Sequence, residues 1–417
     1  MMTLSPLRIN QERLRQNFQS LAQIGATTNG GVTRLALSMD DLEARAWFAN
    51  TVEEAGLMVR DDEVANLSGV LLSRTPHAKT LLIGSHLDTV VNGGKYDGAV
   101  GVLCALECLR TIKEAGIALP VHLEAVNFTD EEGTWISLLG SRGIVGKLPL
   151  KQLYMKSNGA FQAALVRAGI ELEGFIRAKR DPNTLLAYLE LHIEQGARLE
   201  REHVPIGIVQ NIVGRSNFVL TYRGKSGHSG TTEYQDRRDA LQGAAQFVIG
   251  AHQHIRQRYE NAIVNCGQLE VVNGAYNLIP SHVIMGFECR HTDPSVLQQL
   301  ESDLLQWAEA CAEAHRLTVS VQQNERMEAA VMDARIQQIV MDICDQSDLR
   351  FLPLVSYAGH DAQMLSQITP SAMIFIPCQA GISHNPQEFA KWEDVVTGAN
   401  VLLQTILQIA LHGLDER

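Results

Sequence analysis

The chain has 417 residues, 45% of them hydrophobic and 20% charged, with a formal net charge of −12. That length favours two domains over one, and that apolar fraction builds an ordinary globular core. The acidic balance disfavours nucleic acid and anionic membrane as partners, yet it permits a small anionic substrate, because a local Arg overrides the global field. The seven cysteines are scattered, odd in number and form no Cys-x-x-Cys pair, which reads as reduced thiols in a cytoplasmic protein. The start MMTLSPLRINQERLRQ is polar and has no signal core, and no run approaches membrane-spanning length.

In chain order, residues 4–23 place Leu4, Leu7, Leu14, Phe18 and Leu21 on one helical face. A helix over 39–55 follows, with Gly56 as its C-terminal stop. The run Leu81-Leu82-Ile83 marks a strand over 79–84. A helix over 98–114 opens with Gly98, Ala99 and Gly101, whose small size lets its N-terminus come close to neighbouring groups. Strands over 120–128 and 185–195 come next. From Val213 to Glu325 the pattern becomes strand, helix, strand, strand, helix, strand: 218–223, 238–256, 263–272, 283–290, 296–314 and 317–322. The first pattern then returns as helix 333–346, strand 372–377 and helix 393–411. The expected architecture is α/β. A domain with a mixed central sheet flanked by helices spans 1–212 and 326–417, interrupted by a smaller αβ sandwich over 213–325.

Chemistry concentrates where the apolar runs end. Gly84-Ser85-His86-Leu87-Asp88-Thr89, then Asp97-Gly98, then Asp130-Glu131-Glu132-Gly133 bring one imidazole and up to five carboxylates to strand ends. Ligands of α/β sheets bind beyond the carboxyl ends of the strands. So many carboxylates stay ionised together only if something positive neutralises them, and a divalent metal does so. His86 is a first ligand, and Asp88, two residues on, is placed to orient its ring. Glycines 93 and 94 let the loop fold back, so that Asp97 returns to His86, where its two oxygens suit a bridge between two metals. Glu131 and Glu132 point in different directions, so one binds metal and the other stays free as a base. His192, in ELHIEQG, and His384, in GISHNP, are further ligand candidates. His360, in Gly359-His360-Asp361, suits a place near substrate or behind a ligand. The remaining histidines other than His228 read as ordinary core or surface residues.

Taken together, the motifs GSHLDTVVNGGKYDGAVGVL, FTDEEG, ELHIEQG, GHSGTT, NLIP, ECRHTD, GHDAQM and IPCQAGISHNP resemble the dinuclear-metal aminoacylase and carboxypeptidase superfamily. Within it, they look closest to N-carbamoyl-L-amino acid hydrolases and allantoate amidohydrolases. The resemblance implies one metal held by His86, Asp97 and His192, and another held by Asp97, Glu132 and His384. The ions are zinc or manganese first, cobalt or nickel next. It makes Glu131 the general base and Asp88 the partner of the first histidine. His228, Asn277 and Arg290 match substrate-binding positions, with Gln195 and the Gly359–His360 turn close by. The inserted domain becomes a lid and dimerisation domain, and His228 reaches the active site of a partner subunit in a homodimer. One departure stands out. After Glu132-Gly133 many relatives carry Arg-Phe, whereas this chain has Thr134-Trp135-Ile136.

The reaction so implied is hydrolysis of a linear ureido C–N bond in a small carboxylate, an N-carbamoyl-L-amino acid or allantoate. His228 would stabilise the oxyanion and Arg290 would grip the carboxylate. An N-acyl amino acid hydrolase or dipeptidase of the same superfamily is the runner-up. A non-catalytic binding relative is the rival from another class, and the intact ligand set together with Glu131 argues against it.

Overall fold

The computed structural model of the chain describes residues 7–156 and 159–414. The chain divides into two compact units, Met1–Gln210 with Val331–Arg417, and Asn211–Ala330.

The larger unit is built on a nine-stranded sheet. Its order is Met58–Asp61, Leu67–Leu71, His122–Phe128, Thr80–His86, Leu185–Ile193, Ser371–Ile376, Ile206–Ile212 and Ala330–Val331, with Phe351–Ser356 also pairing Ile206–Ile212. The four central strands, from His122–Phe128 to Ser371–Ile376, run parallel, while antiparallel neighbours flank them. Strands buried on both faces are apolar throughout, which is why Leu81, Leu82 and Ile83 are wholly inaccessible. Helix Ala99–Glu114 supplies the densest part of the core against strand Thr80–His86. Gly101 permits that approach, since a Cβ there would lie 2.6 Å from Ser85 Cβ and 2.7 Å from the Leu191 carbonyl oxygen.

The first helix begins at Gln11, later than its apolar face suggested. Asn10 caps it by accepting from Arg13 N, and residues 4–6 lie outside the described residues. Leu14, Phe18 and Leu21 face the core as the periodicity required. Arg34 is 1% exposed and lies beside this helix. Its guanidinium donates to the carbonyls of Leu87, Leu21 and Ile24 at 3.0, 3.2 and 3.1 Å, tying the segment after His86 to the helix.

The last helix, Trp392–His412, corrects the expectation that no segment reaches spanning length. Among the described residues it alone is long and apolar enough to cross a membrane. Its apolar face, however, packs on strands Ser371–Ile376 and Leu185–Ile193 and on helices Ala99–Glu114 and Ala334–Gln346. Its hydropathy is that of a core helix.

The smaller unit is a four-stranded antiparallel sheet in the order Thr318–Met327, Gly214–Arg223, His282–His291, Ile263–Val271. Helices Ala240–Arg258 and Pro294–Ala314 cover one face. The strands alternate buried and partly exposed residues, as a sheet covered on one side must. A two-stranded ribbon pairs Gly227–His228 with Leu278–Ile279.

Replacing Leu402, wholly buried in the last helix, with Ala should cost about 2–5 kcal/mol by loss of transfer energy and by the cavity left behind. Urea unfolding of the variant measures this. An unchanged midpoint would show that the helix does not belong to the core.

Candidate metal centre

The four central parallel strands end on one edge of the sheet, and each delivers part of a single cluster. His86 is the last residue of its strand. Asp130, Glu131 and Glu132 follow Phe128, His192 lies one residue before the end of its strand, and His384 sits in the turn beyond Ile376. Asp97 arrives on the loop before helix Ala99–Glu114. That loop is pinned by reciprocal backbone hydrogen bonds between Gly93 and Val32, 2.8 and 3.0 Å long.

Asp97 lies at the centre. Its Oδ1 is 3.1 Å from His192 Nε2 and 3.7 Å from His86 Nε2, and its Oδ2 is 3.4 Å from His384 Nε2. Glu132 Oε2 lies 3.3 Å from the same His384 nitrogen. Two triads therefore meet, His86 with Asp97 and His192, and Asp97 with Glu132 and His384. Within each, the candidate ligand atoms all lie within 4.8 Å of one another. Glu131 belongs to neither triad, and its Oε2 is 3.5 Å from His86 Nε2.

Hydrogen bonds orient the rings. His192 Nδ1 is 2.9 Å from the Ile193 carbonyl oxygen, which directs Nε2 at Asp97. Asp88 partners His86 differently from the sequence expectation. Its backbone carbonyl, 3.0 Å away, takes the Nδ1 bond, while its carboxylate is 3.8 Å from that nitrogen. The carboxylate instead accepts the backbone N–H groups of Glu131 and Glu132, both at 3.3 Å, and so fixes the turn that carries them.

Burial dominates the electrostatics. It raises Glu131 and Glu132 far above the usual carboxylate range, reinforced by the charges of each other's neighbours: Glu132 and Asp361 around Glu131, Asp97 and Asp88 around Glu132. Burial and the charge of Asp41 push Asp88 up to about 7. Asp97 is also buried, yet the His192 hydrogen bond and the two imidazoles hold it below its ordinary value. The two histidines beside it shift oppositely. Burial takes His86 down to about 4, whereas the closer Asp97 contact outweighs burial at His192 and lifts it to about 9. The difference follows the 3.7 and 3.1 Å separations. A site with more buried carboxylates than imidazoles and no Lys or Arg among its ligand candidates fits a divalent cation, and mixed nitrogen and oxygen donors suit a transition metal.

The sequence profile of peptidase family M20/M25/M40 matches residues 82–408. The chain belongs to that family. It is 35% identical to an N-carbamoyl-L-amino acid amidohydrolase of Geobacillus stearothermophilus over 406 residues, which are 96% of this chain and 99% of the relative. It is 31% identical to an allantoate amidohydrolase of Bacillus subtilis (strain 168), covering 94% of this chain and 95% of that one. Among solved structures it matches an amidase of the hydantoinase/carbamoylase family from Burkholderia multivorans with a TM-score of 0.86 and 33% identity, covering 97% of this chain and 98% of that one. The chain thus falls in a family of hydrolases, and the residues of the cluster are compatible with divalent metal binding.

The other residues singled out in the sequence fall into two groups. In the larger unit, the Gln195 amide nitrogen donates to Asp97 Oδ2 at 2.8 Å, while its oxygen is buried with no hydrogen-bond partner among the described residues. His360 is 2% exposed. It packs edge-on against the His192 ring at 4.7 Å and bonds Ser356 Oγ at 2.8 Å, which puts it behind a ligand candidate, while Gly359 beside it is partly exposed. Trp135, in the segment after Glu132-Gly133, donates its indole N–H to the Ala36 carbonyl at 2.8 Å and stacks on Phe161, and Ile136 is buried in the same apolar cluster. In the smaller unit, exposed His228 pairs with Leu278, next to Asn277, whose carbonyl accepts from Ser229 N at 3.0 Å. Arg290, on strand His282–His291, makes an ion pair with Glu288 at 2.8 Å.

Three polar residues escaped the sequence reading: Glu190, Ser383 and Glu388. Glu190, wholly buried, accepts from Ser85 Oγ, the Tyr188 hydroxyl and Ala362 N. A carboxylate between Leu189 and Leu191 in an otherwise apolar strand was its signal. Ser383 and Glu388 flank His384 in the Gly/Pro-fixed turn, and position alone did not set them apart from loop residues.

Gly98 has φ +63°, and a Cβ there would fall 2.4–2.5 Å from three atoms of the His86 ring. Gly98→Ala should displace that ring and weaken divalent-ion binding by roughly 10- to 100-fold, the usual effect of disturbing a ligand's support. Calorimetric titration of the metal-free variant with manganese or zinc measures it. Wild-type affinity would mean that Gly98 does not seat His86.

Proposed function

We propose that this protein is a two-metal amidohydrolase that cleaves the C–N bond of a linear ureido group on a small carboxylate, an N-carbamoyl-L-amino acid or allantoate. One observation carries the reading. A single carboxylate, Asp97, is shared by two ligand triads, while Glu131 stands beside them outside both. The full-length likeness to N-carbamoyl-L-amino acid and allantoate amidohydrolases supports the substrate class.

In this reading His86, Asp97 and His192 hold one ion, and Asp97, Glu132 and His384 the other, zinc or manganese before cobalt or nickel. Bound there, divalent ions polarise a carbonyl oxygen and make water acidic enough to ionise near neutral pH. Glu131 takes the proton from the attacking water as the C–O bond forms, and passes it to the leaving nitrogen as the tetrahedral oxyanion collapses and the C–N bond breaks. Burial and the neighbouring carboxylates raise this carboxyl above its ordinary range, and cations at the two triads would offset that negative charge and leave it ionised as a base. Gln195 holds Asp97, and His360 backs His192.

His228 would stabilise the oxyanion, Asn277 would bind substrate, and Arg290 would clamp the carboxylate through its planar fork. The ribbon carrying His228 adjoins the His282 end of strand His282–His291, and Arg290 stands at the other end. At about 3.4 Å per residue, ~27 Å of strand separates His282 from Arg290. A small substrate does not span that length, which favours a homodimer in which His228 serves the partner's site. The smaller unit then acts as lid and dimerisation domain. The seven cysteines are free thiols, consistent with a cytoplasmic location.

Purified protein loaded with manganese or zinc should release ammonia from N-carbamoyl-L-amino acids or allantoate and leave N-acetyl amino acids and dipeptides largely intact. Faster cleavage of the acyl or peptidyl substrates would replace the ureido reading with the N-acyl hydrolase one.

The adjacent glutamates separate base from ligand. Glu131→Gln should retain both ions and lose turnover by about 10²-fold or more, as expected for a general base. Glu132→Gln should lose ion affinity as well. Metal analysis giving the reverse pattern would exchange their roles.

A further inference from the structure

Glu388 is 5% exposed and joins the two loops that carry Asp97 and His384. Its Oε1 accepts Tyr96 N at 2.9 Å and Asp97 N at 3.0 Å. Its Oε2 is 3.1 Å from Ser383 Oγ, which is itself 2.6 Å from Asp97 Oδ2. The carboxylate therefore holds the Asp97 backbone directly and, at its side chain, shares with Oδ2 the one Ser383 hydroxyl, whose single proton serves one acceptor at a time. The same serine precedes His384, and Glu388 N closes the turn on the Asn385 carbonyl at 3.0 Å. The loop before Asp97 is shaped around this group, since a Cβ on Gly94 would lie 2.0 Å from the Glu388 carboxyl carbon. The contact falls on one side of the cluster. Oδ2 of Asp97 faces His384, whereas Oδ1 faces His86 and His192.

We infer that Glu388 is a positioning residue that sets the spacing between Asp97 Oδ2 and the His384 turn, and with it the affinity of the ion held by Asp97, Glu132 and His384. This rests on the two-ion reading above. Shape and hydrogen bonding carry the effect. A glutamine at 388 keeps an oxygen for the two backbone N–H groups, and its amide nitrogen donates to Ser383 Oγ, leaving the serine proton for Asp97. An alanine loses all three contacts.

The test titrates metal-free wild type, Glu388→Ala, Glu388→Gln and Ser383→Ala with manganese, followed by calorimetry and metal analysis, with the circular dichroism of each metal-free protein as a check on folding. Wild type should take two ions. In Glu388→Ala one site should weaken by about 10- to 100-fold while the other is retained, and Glu388→Gln should restore binding to within a few-fold. Ser383→Ala should weaken the same site to a smaller degree. Two ions at wild-type affinity in Glu388→Ala would overturn the inference, as would equal weakening in the Gln variant. Should Glu388→Ala fail to fold without metal, Ser383→Ala decides, and unchanged affinity there overturns it. Fewer than two ions in wild type would sink the dinuclear reading itself, a result distinct from any of these.

Discussion

The structure is organised around the cost of burying like charges together. Asp97, Glu131, Glu132, Asp88 and Glu388 are drawn to the ends of four parallel strands, where burial alone would push their protons back on. Asp97 escapes that outcome because imidazoles face both of its oxygens and the Gln195 amide also donates to it. In the two-ion reading proposed above, cations beside Asp97 would offset this charge, with Glu132 as a ligand and Glu131 as the base, while Asp88 and Glu388 are occupied by backbone N–H groups. The sheet supplies the rigidity this needs, since every contributing strand is buried along its length near the site.

Rigidity is also visible in the backbone. Asp130, Gln195 and His384 are non-glycine residues with φ between +53° and +55°, and all three lie in or beside the cluster. Such conformations cost about 1–3 kcal/mol each and persist only where surrounding contacts over-determine them. At Asp130 the compensation is explicit, because its carboxylate accepts the N–H groups of Trp135 at 3.0 Å and Ile136 at 2.7 Å. The strained turn throws Glu131 and Glu132 to different sides of His86 and His384. Thr134-Trp135-Ile136 thus helps to hold the acidic turn, and the indole is engaged with Ala36 and Phe161.

Much was legible in the sequence because it depended on local chemistry. Buried parallel strands must be apolar and must end where polar ligands begin, so His86, Glu131–Glu132 and His192 announced themselves at the ends of apolar runs. The long helices were readable from 3.6-residue periodicity, and helix Ala99–Glu114 from its small opening residues. Short strands such as Met58–Asp61 and Phe351–Ser356 and the helices between 139 and 168 were not, since four to nine residues rarely carry a periodic signal that outweighs tertiary packing.

What the sequence by itself determined is the chemical inventory: which imidazoles and carboxylates exist, and that they cluster at strand ends in need of a cation. Only the tertiary structure decided their partners. Glu388 meets the Asp97 amide across 291 residues of chain, and Gln195 reaches its side chain across 98. No local pattern encodes contacts of that range. It was likewise the folded chain that gave His86 the backbone carbonyl of Asp88 and left the carboxylate to the Glu131–Glu132 turn. Residue type sets what a group is able to do, and the packing of distant segments sets which neighbour it does it with.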